Sequence, residues 1–128
     1  MTVQTFDIGL VSPDDSLVAF YRDTFGLTEL EHREFPMGTV RRLECGPGVL
    51  KIMIPTDAPT TTPGTANFWD ATGIRYVTMY VDDAAGVADR CAAGGGTVVM
   101  PPFELRPGVT TTLLRDPQGN AVEVMQLD

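Results

Sequence analysis

The sequence predicts an α+β protein in which two β-α-β-β-β modules follow one another along the chain. Several short segments alternate apolar and polar residues, which is typical of strands with one buried face. Two other segments carry apolar residues at helical spacing and end at glycine, and both halves of the chain have the same order of elements. We expect a first module over residues 1–54, a connector over 55–73 and a second module over 74–128, within one structural domain.

The first module begins with a predicted strand over residues 6–10, in which the even-numbered residues, Phe6 among them, are expected to face the core. Ser12 is a favourable helix N-cap and Pro13 a favourable first helical residue, so a helix is predicted from there, with Gly26 as its stop. Further strands are predicted near residues 27–35, 39–45 and 49–54.

The second module repeats this order. A strand is predicted over residues 75–81, followed by a helix that begins after the aspartates 82–83 and ends at the glycines 94–96. Its remaining strands are predicted over residues 97–100, 109–114 and 121–127. We expect Pro101 and Pro102 to end the first of these three strands.

The connector contains three prolines and six threonines, a composition that predicts no secondary structure. Its length favours a linker or a lid over a simple turn. Phe68 and Trp69 form an aromatic pair within it, which is expected to contact a ligand, to contact a dimer partner or to pack against the protein, and Trp69 is included among the ligand-binding residues.

Charge and composition exclude several functions. A net charge of −8 and a pI of about 4.4 would repel the phosphates of a nucleic acid. No apolar run approaches the roughly 18 residues of a membrane span, and the N-terminus has no leader pattern, so we expect a cytoplasmic protein without a membrane partner. Cys45 and Cys91 are expected to be reduced apolar fillers. One histidine, His32, is too few for a two-histidine iron site.

Three segments of the chain together are the basis of a family resemblance. They are IGLVSPDDSLVAFYRDTFGL in the first half, and YVTMYVDDAAGVADRCAAGGGTVVMPP and LLRDPQGNAVEVMQL in the second. Their most specific parts are Ser16 with Phe20-Tyr21 and Gly26 in the first half, and Asp116-Pro117-x-Gly119-Asn120-x-x-Glu123 at the end of the second. With these segments the chain resembles the vicinal oxygen chelate superfamily, which includes glyoxalase I, bleomycin-resistance proteins and extradiol dioxygenases. The resemblance implies tandem modules that form an open, curled mixed sheet with a cleft, often in a homodimer.

The resemblance also implies where a metal would bind in metal-dependent relatives, on the first and last strand of each module. Carried over residue by residue, those positions are Thr5, Lys51, Tyr76 and Glu123. Only Glu123 is a usual ligand, and the ammonium of Lys51 would repel a divalent cation. We therefore expect no metal and no other cofactor. Lys51 and Glu123 are expected to form an ion pair instead, either as structural support or as an anchor for a ligand.

Strand alternation predicts which side chains line the cleft. The residues expected to bind a ligand are Thr5, Lys51, Met53, Trp69, Tyr76, Thr78, Tyr80, Glu123 and Met125. This mixture of aromatic, thioether and charged groups suits a flat, partly apolar organic molecule with one or two polar anchors. Arg41 and Arg42 are neighbours in a strand, so one of them is expected to face the cleft.

Two functions are compatible with these residues. The first is a metal-free protein resembling the bleomycin-resistance type, which holds an aromatic or drug-like molecule. The alternative is a metal-independent lyase, isomerase or epimerase, in which Glu123 or Asp7 removes a proton beside a carbonyl. In that mechanism Tyr76 or Lys51 would stabilise the oxyanion. The sequence leaves open whether the chain is an enzyme.

Overall fold

The computed structural model describes residues 2–128, and the chain divides into two compact units, Met1–Thr61 and Thr62–Asp128. Each unit contains one α-helix and one four-stranded mixed sheet. The α+β class and the two β-α-β-β-β modules predicted from the sequence are confirmed. In the described part of the chain, neither helix is long and apolar enough to cross a membrane.

The first module has five elements, which are β1 (Ile8–Val11), α1 (Ser16–Phe25), β2 (Thr28–Phe35), β3 (Gly38–Cys45) and β4 (Gly48–Pro55). The strand order in its sheet is β1-β4-β3-β2. β1 pairs with β4 in parallel, and the other pairs are antiparallel. The first and last strands of the module are therefore neighbours, although the whole module separates them in sequence.

Apolar side chains of α1 and of the sheet form the core of this module. Leu17 and Tyr21 of the helix and Leu43 and Ile52 of the sheet are at most 2% exposed. The helix ends at Gly26, whose φ of 67° is the left-handed conformation that glycine adopts without steric cost.

The helix begins at Ser16, four residues later than Ser12, which the sequence predicts as its N-cap. Ser12 instead extends the pairing of β1, because its N–H donates to the Met53 carbonyl at 2.9 Å. Asp14 turns the chain into the helix by accepting a hydrogen bond from the Ser16 N–H at 3.0 Å. Hydrogen bonds from Ser16 lower the pKa of the Asp14 carboxyl.

The prediction that Phe6 faces the core is wrong, since its side chain is 78% exposed. β1 begins at Ile8, so the alternation of a paired strand does not extend back to Phe6. The Phe6 backbone nevertheless lies close to the sheet: a Cβ at Gly48 would collide with the Phe6 carbonyl oxygen. We infer that glycine is required at position 48 for this approach.

The second module contains β5 (Tyr76–Tyr80), α2 (Ala84–Ala93), β6 (Thr97–Arg106), β7 (Val109–Arg115) and β8 (Ala121–Leu127). Its sheet has the order β5-β8-β7-β6, again with the first and last strands parallel. The predicted break at Pro101 and Pro102 is wrong, because β6 continues through both prolines. β6 is an edge strand with several register shifts, and such a strand tolerates residues that lack an N–H donor.

The core of the second module is also formed by apolar side chains of its helix and its sheet. Asp83 caps α2 by accepting a hydrogen bond from the Gly86 N–H at 3.0 Å. Val87 and Cys91 of the helix are buried with the β8 residues that alternate with Glu123, which are Val122 and Val124.

Candidate functional site

Each sheet has one face that carries the charged residue of its last strand, Lys51 in β4 and Glu123 in β8. We call this the open face of the module. Residues directly opposite one another on paired strands share a face. In the first module, the row through Lys51 is Gly9, Lys51, Arg42 and Leu30. In the second module, the row through Glu123 is Thr78, Glu123, Leu113 and Met100.

Aromatic side chains flank a polar pair on the open face of the second module. Tyr76 and Tyr80 lie two residues to either side of Thr78 in β5 and are 47% and 68% exposed. The Thr78 hydroxyl donates to Glu123 Oε1 at 3.0 Å. Met125, opposite Tyr80, is 6% exposed and therefore nearly buried. Five of the predicted ligand-binding residues thus share one face of the sheet, and four of them, all except Met125, are accessible.

The connector brings a second aromatic pair to this surface. Phe68–Asp70 form a short 3-10 helix, and its preceding residue Asn67 exchanges capping hydrogen bonds with Asp70. The Phe68 ring lies 4.6 Å from the Tyr76 ring and 4.9 Å from the Trp69 ring, measured between centroids. Trp69, 63% exposed, is therefore linked to Tyr76 through Phe68.

Two arginines fasten the connector to the second module. Arg115 donates to the carbonyls of Thr65 and Ala66 at 3.1 and 3.3 Å. Arg75 donates to the Thr65 hydroxyl at 3.0 Å and to the Phe68 carbonyl at 3.3 Å. The prediction of a connector without secondary structure is wrong for this part, because side chains distant in sequence supply the hydrogen bonds that its own composition does not predict.

Replacing Arg115 with glutamine is expected to loosen this segment. The variant loses the hydrogen bonds to Thr65 and Ala66, so amide hydrogen exchange at Asn67 and Asp70 should become about tenfold faster, the effect of roughly 1.4 kcal/mol. Arg106→Gln is the matched control, because Arg106 is exposed. Equal exchange in the two variants would contradict the role assigned to Arg115.

In the first module, Asp7 and Lys51 form an ion pair. Asp7 Oδ2 lies 3.3 Å from Lys51 Nζ, and Asp7 Oδ1 accepts from the Val49 N–H at 2.9 Å. The partner of Lys51 in its own module is therefore Asp7, and the predicted pair with Glu123 stays a prediction. Met53 lies one place further along the same face of β4, opposite Val40.

The structure distinguishes the two adjacent arginines of β3. Arg42 is directly opposite Lys51 and shares its face. Arg41 is opposite Ile52 and turns to the other side, where its Nε lies 2.6 Å from Glu29 Oε2. The hydrogen bond between them raises the pKa of Arg41 and lowers that of Glu29. Of this pair, Arg42 is the residue available to an open-face ligand.

Register also corrects the predicted equivalence of Thr5 and Tyr76. The N–H of Ser12 donates to the Met53 carbonyl in the first module, and that of Val81 donates to the Met125 carbonyl in the second. Counting back five residues from Ser12 and from Val81 pairs Asp7 with Tyr76. Thr5 lies two residues further out, ahead of β1, and is exposed.

A tight turn fixes the start of β8 and with it Glu123. The Asp116 side chain, 3% exposed, accepts hydrogen bonds from the N–H groups of Gln118 and Asn120 at 2.9 and 3.0 Å. Its second oxygen accepts from the Asn120 side-chain amide at 2.9 Å. Residues 116–120 of this motif therefore form the turn, and Glu123 is the third residue of β8.

Comparison with known families identifies the fold family. A model of the glyoxalase/bleomycin resistance protein/dioxygenase superfamily matches residues 10–124, which is most of the chain. The chain belongs to this superfamily. The resemblance noted from the sequence is therefore confirmed. No curated protein shows a significant match to the chain.

Several solved structures share the fold of this chain. Protein SMU.1112c is 23% identical, with a TM-score of 0.74 over 98% of this chain and 99% of its own. A superfamily enzyme from Burkholderia phytofirmans PsJN is 20% identical, with a TM-score of 0.70 over 95% and 97%. Glyoxalase I from Zea mays is 20% identical, with a TM-score of 0.72 over 94% of this chain and 43% of its own. These similarities concern the fold.

The donor set of this chain does not fit the metal that some superfamily members bind. After the register correction, the four corresponding positions are Asp7, Lys51, Tyr76 and Glu123. Lys51 is a cation, and both Asp7 oxygens are already engaged, one by Lys51 and one by the Val49 N–H. A divalent ion prefers carboxylate, imidazole or carbonyl ligands, so the ammonium of Lys51 and the phenol of Tyr76 are poor ligands.

Proposed function

We propose that this superfamily member is a small-molecule-binding protein that acts without a metal and holds a planar aromatic ligand on the open face of the second module. The observation that carries the proposal is the pair of exposed tyrosines, Tyr76 and Tyr80, on either side of the hydrogen-bonded Thr78 and Glu123. As in the relatives that the sequence resembles, we expect the chain to act as a homodimer.

Exposed aromatic rings favour a flat partner. Burial of a tyrosine or tryptophan face against a planar ligand removes apolar area from water and gives a stacking contact. Tyr76, Phe68 and Trp69 already lie in sequential ring contact, so a planar ligand could extend this series. The fastened connector limits the ordering cost of binding, because Phe68 and Trp69 are already in place.

The charge of the surface favours a ligand with a cationic group. Glu123 Oε1 accepts from Thr78, whereas Oε2 accepts no hydrogen bond from any residue that the structure describes. That oxygen is available to an ammonium or an aromatic cation, and the neighbouring tyrosine faces favour a cation as well. The net charge of −8 attracts such a ligand at longer range.

Fluorescence of Trp69, the chain's single tryptophan, tests the proposal. We expect titration with proflavine, a planar cation, to give saturable quenching, with weaker binding of neutral acridine at pH 7.5. Glu123→Gln should weaken proflavine binding about tenfold, because a charge-assisted contact of roughly 1.4 kcal/mol is lost, and should leave acridine binding nearly unchanged. Glu104→Gln, at an exposed carboxylate of β6, is the control. Absence of saturable binding, or equal effects of the two substitutions, would contradict the proposal.

The alternative, a metal-independent lyase, isomerase or epimerase, is favoured by the same free oxygen of Glu123. Of the two candidate bases, Asp7 is held by Lys51 and Val49, so Glu123 is the better placed to remove a proton. Tyr76 would then donate to the oxyanion. Proton exchange beside the carbonyl of a test ketone in D2O, catalysed by the wild type and lost in Glu123→Gln, would decide for this alternative over binding alone.

A further inference from the structure

Strand register places three basic residues on the open face of the first module. Lys51 of β4 is directly opposite Arg42 of β3. Arg33 of β2 is opposite Val40, which lies two residues from Arg42 on the same face. A register shift between Leu30 and Arg33 places both of these residues on that face, although they are three apart in sequence. The chain has nine basic residues, and a third of them are gathered here.

These cations outnumber the carboxylates beside them. Asp7 pairs with Lys51, and Glu44, opposite Val49, is the other carboxylate that register places on this face. The Arg42 guanidinium makes one hydrogen bond, to the Glu31 carbonyl at 3.2 Å. Within residues 2–128, neither Arg33 nor Arg42 forms an ion pair.

Asp7 pairs with Lys51, so Arg33 and Arg42 are the two cations of this face that have no ion pair within residues 2–128. Like charges directly opposite one another on paired strands destabilise a sheet. Arg33 and Arg42 are diagonal neighbours, a separation that two long side chains can span to reach one ligand. The side chains are also accessible: Arg33 is exposed and the Lys51 side chain is 44% exposed. The surrounding chain is acidic, so the cluster stands out from the overall charge of −8.

We propose that Arg33, Arg42 and Lys51 bind an oxyanion, the carboxylate or phosphate group of a small molecule. A guanidinium offers two parallel N–H donors that match either group, and an ammonium adds charge without a fixed geometry. The equivalent row of the second module has Glu123 and Leu113 in place of Lys51 and Arg42, so that row has no such cluster. The inference goes beyond the proposed function, because it concerns the other module and a ligand of opposite charge.

Calorimetric titration with citrate and with inorganic phosphate, at physiological ionic strength, tests the inference. We expect saturable binding of at least one of them to the wild type, and the stronger of the two identifies the preferred oxyanion. Arg42→Gln should lower its association constant about tenfold, because a charged donor pair is lost. Arg33→Gln removes an exposed guanidinium that has no ion pair in the described chain. It should lower the association constant severalfold and leave the thermal unfolding midpoint unchanged.

Arg106→Gln is the control for long-range attraction, because it removes the same charge from an exposed position of β6. We expect it to change the association constant by less than twofold at physiological ionic strength, where exposed charges are screened beyond about 8 Å. The inference is overturned if neither anion binds saturably, or if Arg106→Gln weakens binding as much as Arg42→Gln does.

Discussion

Asp116→Ala is expected to lower the free energy of unfolding by about 3 kcal/mol, a large share of the roughly 5–15 kcal/mol typical of a domain. The Asp116 side chain accepts three hydrogen bonds in the turn before β8 while it is 3% exposed. Its removal leaves the backbone N–H groups of Gln118 and Asn120 without their acceptor. Urea denaturation of the wild type and the variant measures the difference.

Two further substitutions separate the turn from a general effect of charge. Asp116→Asn keeps an amide oxygen for the two backbone donors, so it should cost only about 1 kcal/mol. Asp57→Ala removes a carboxylate from an exposed position and should change stability by less than about 0.5 kcal/mol. If Asp116→Ala and Asp57→Ala have similar denaturation midpoints, the turn does not depend on the Asp116 carboxylate.

The stability of the second module is expected to fall at alkaline pH because of Cys91. Burial of this thiol, with a smaller contribution from the nearby Asp116 carboxylate, raises its pKa to about 11. The unfolded chain therefore loses the Cys91 proton first, near the ordinary thiol pKa of 9.0, while the folded chain still holds it. The stabilisation is complete below pH 9 and is lost as the pH rises towards 11. A shift of two pKa units corresponds to a total loss of roughly 3 kcal/mol, which is complete above pH 11.

Cys91→Ala isolates this effect. Below pH 9 the variant is less stable than the wild type, because it leaves a small cavity. Its free energy of unfolding should fall less steeply between pH 9 and 11 than that of the wild type. Burial also raises the pKa of Cys45, and Cys45 is common to both proteins, so its contribution cancels in the comparison. Parallel pH profiles for the two proteins would show that Cys91 ionises in the folded chain as easily as in the unfolded one.

Local periodicity was sufficient to predict the modules and the faces of their central strands. In β4 the buried Leu50 and Ile52 alternate with Lys51, and in β8 Val122 and Val124 alternate with Glu123. This worked because each strand is paired along its whole length with an antiparallel neighbour, β3 or β7, without a register shift. Side chains in such strands point to strictly alternate sides.

The features that sequence reasoning missed depend on partners far along the chain. The equivalence of Asp7 and Tyr76 follows from hydrogen bonds between the first and last strands of each module, which no local pattern reports. The connector is ordered by Arg115, about fifty residues away. Its position at the end of β7 gives no sign of this role. The face of Arg33 depends on a register shift within β2, and strict alternation from Leu30 would assign it to the opposite side.

Lys51 is the single lysine of the chain, as Trp69 is its single tryptophan. One lies on the open face of the first module, and the other contacts Phe68, the neighbour of Tyr76 in the second. Reductive methylation with carbon-13 keeps the positive charge of an amine, so it would give Lys51 one side-chain NMR signal without removing its attraction for an anion. Each module therefore contains its own spectroscopic probe, and occupancy of either module could be followed in the same sample of the wild-type chain.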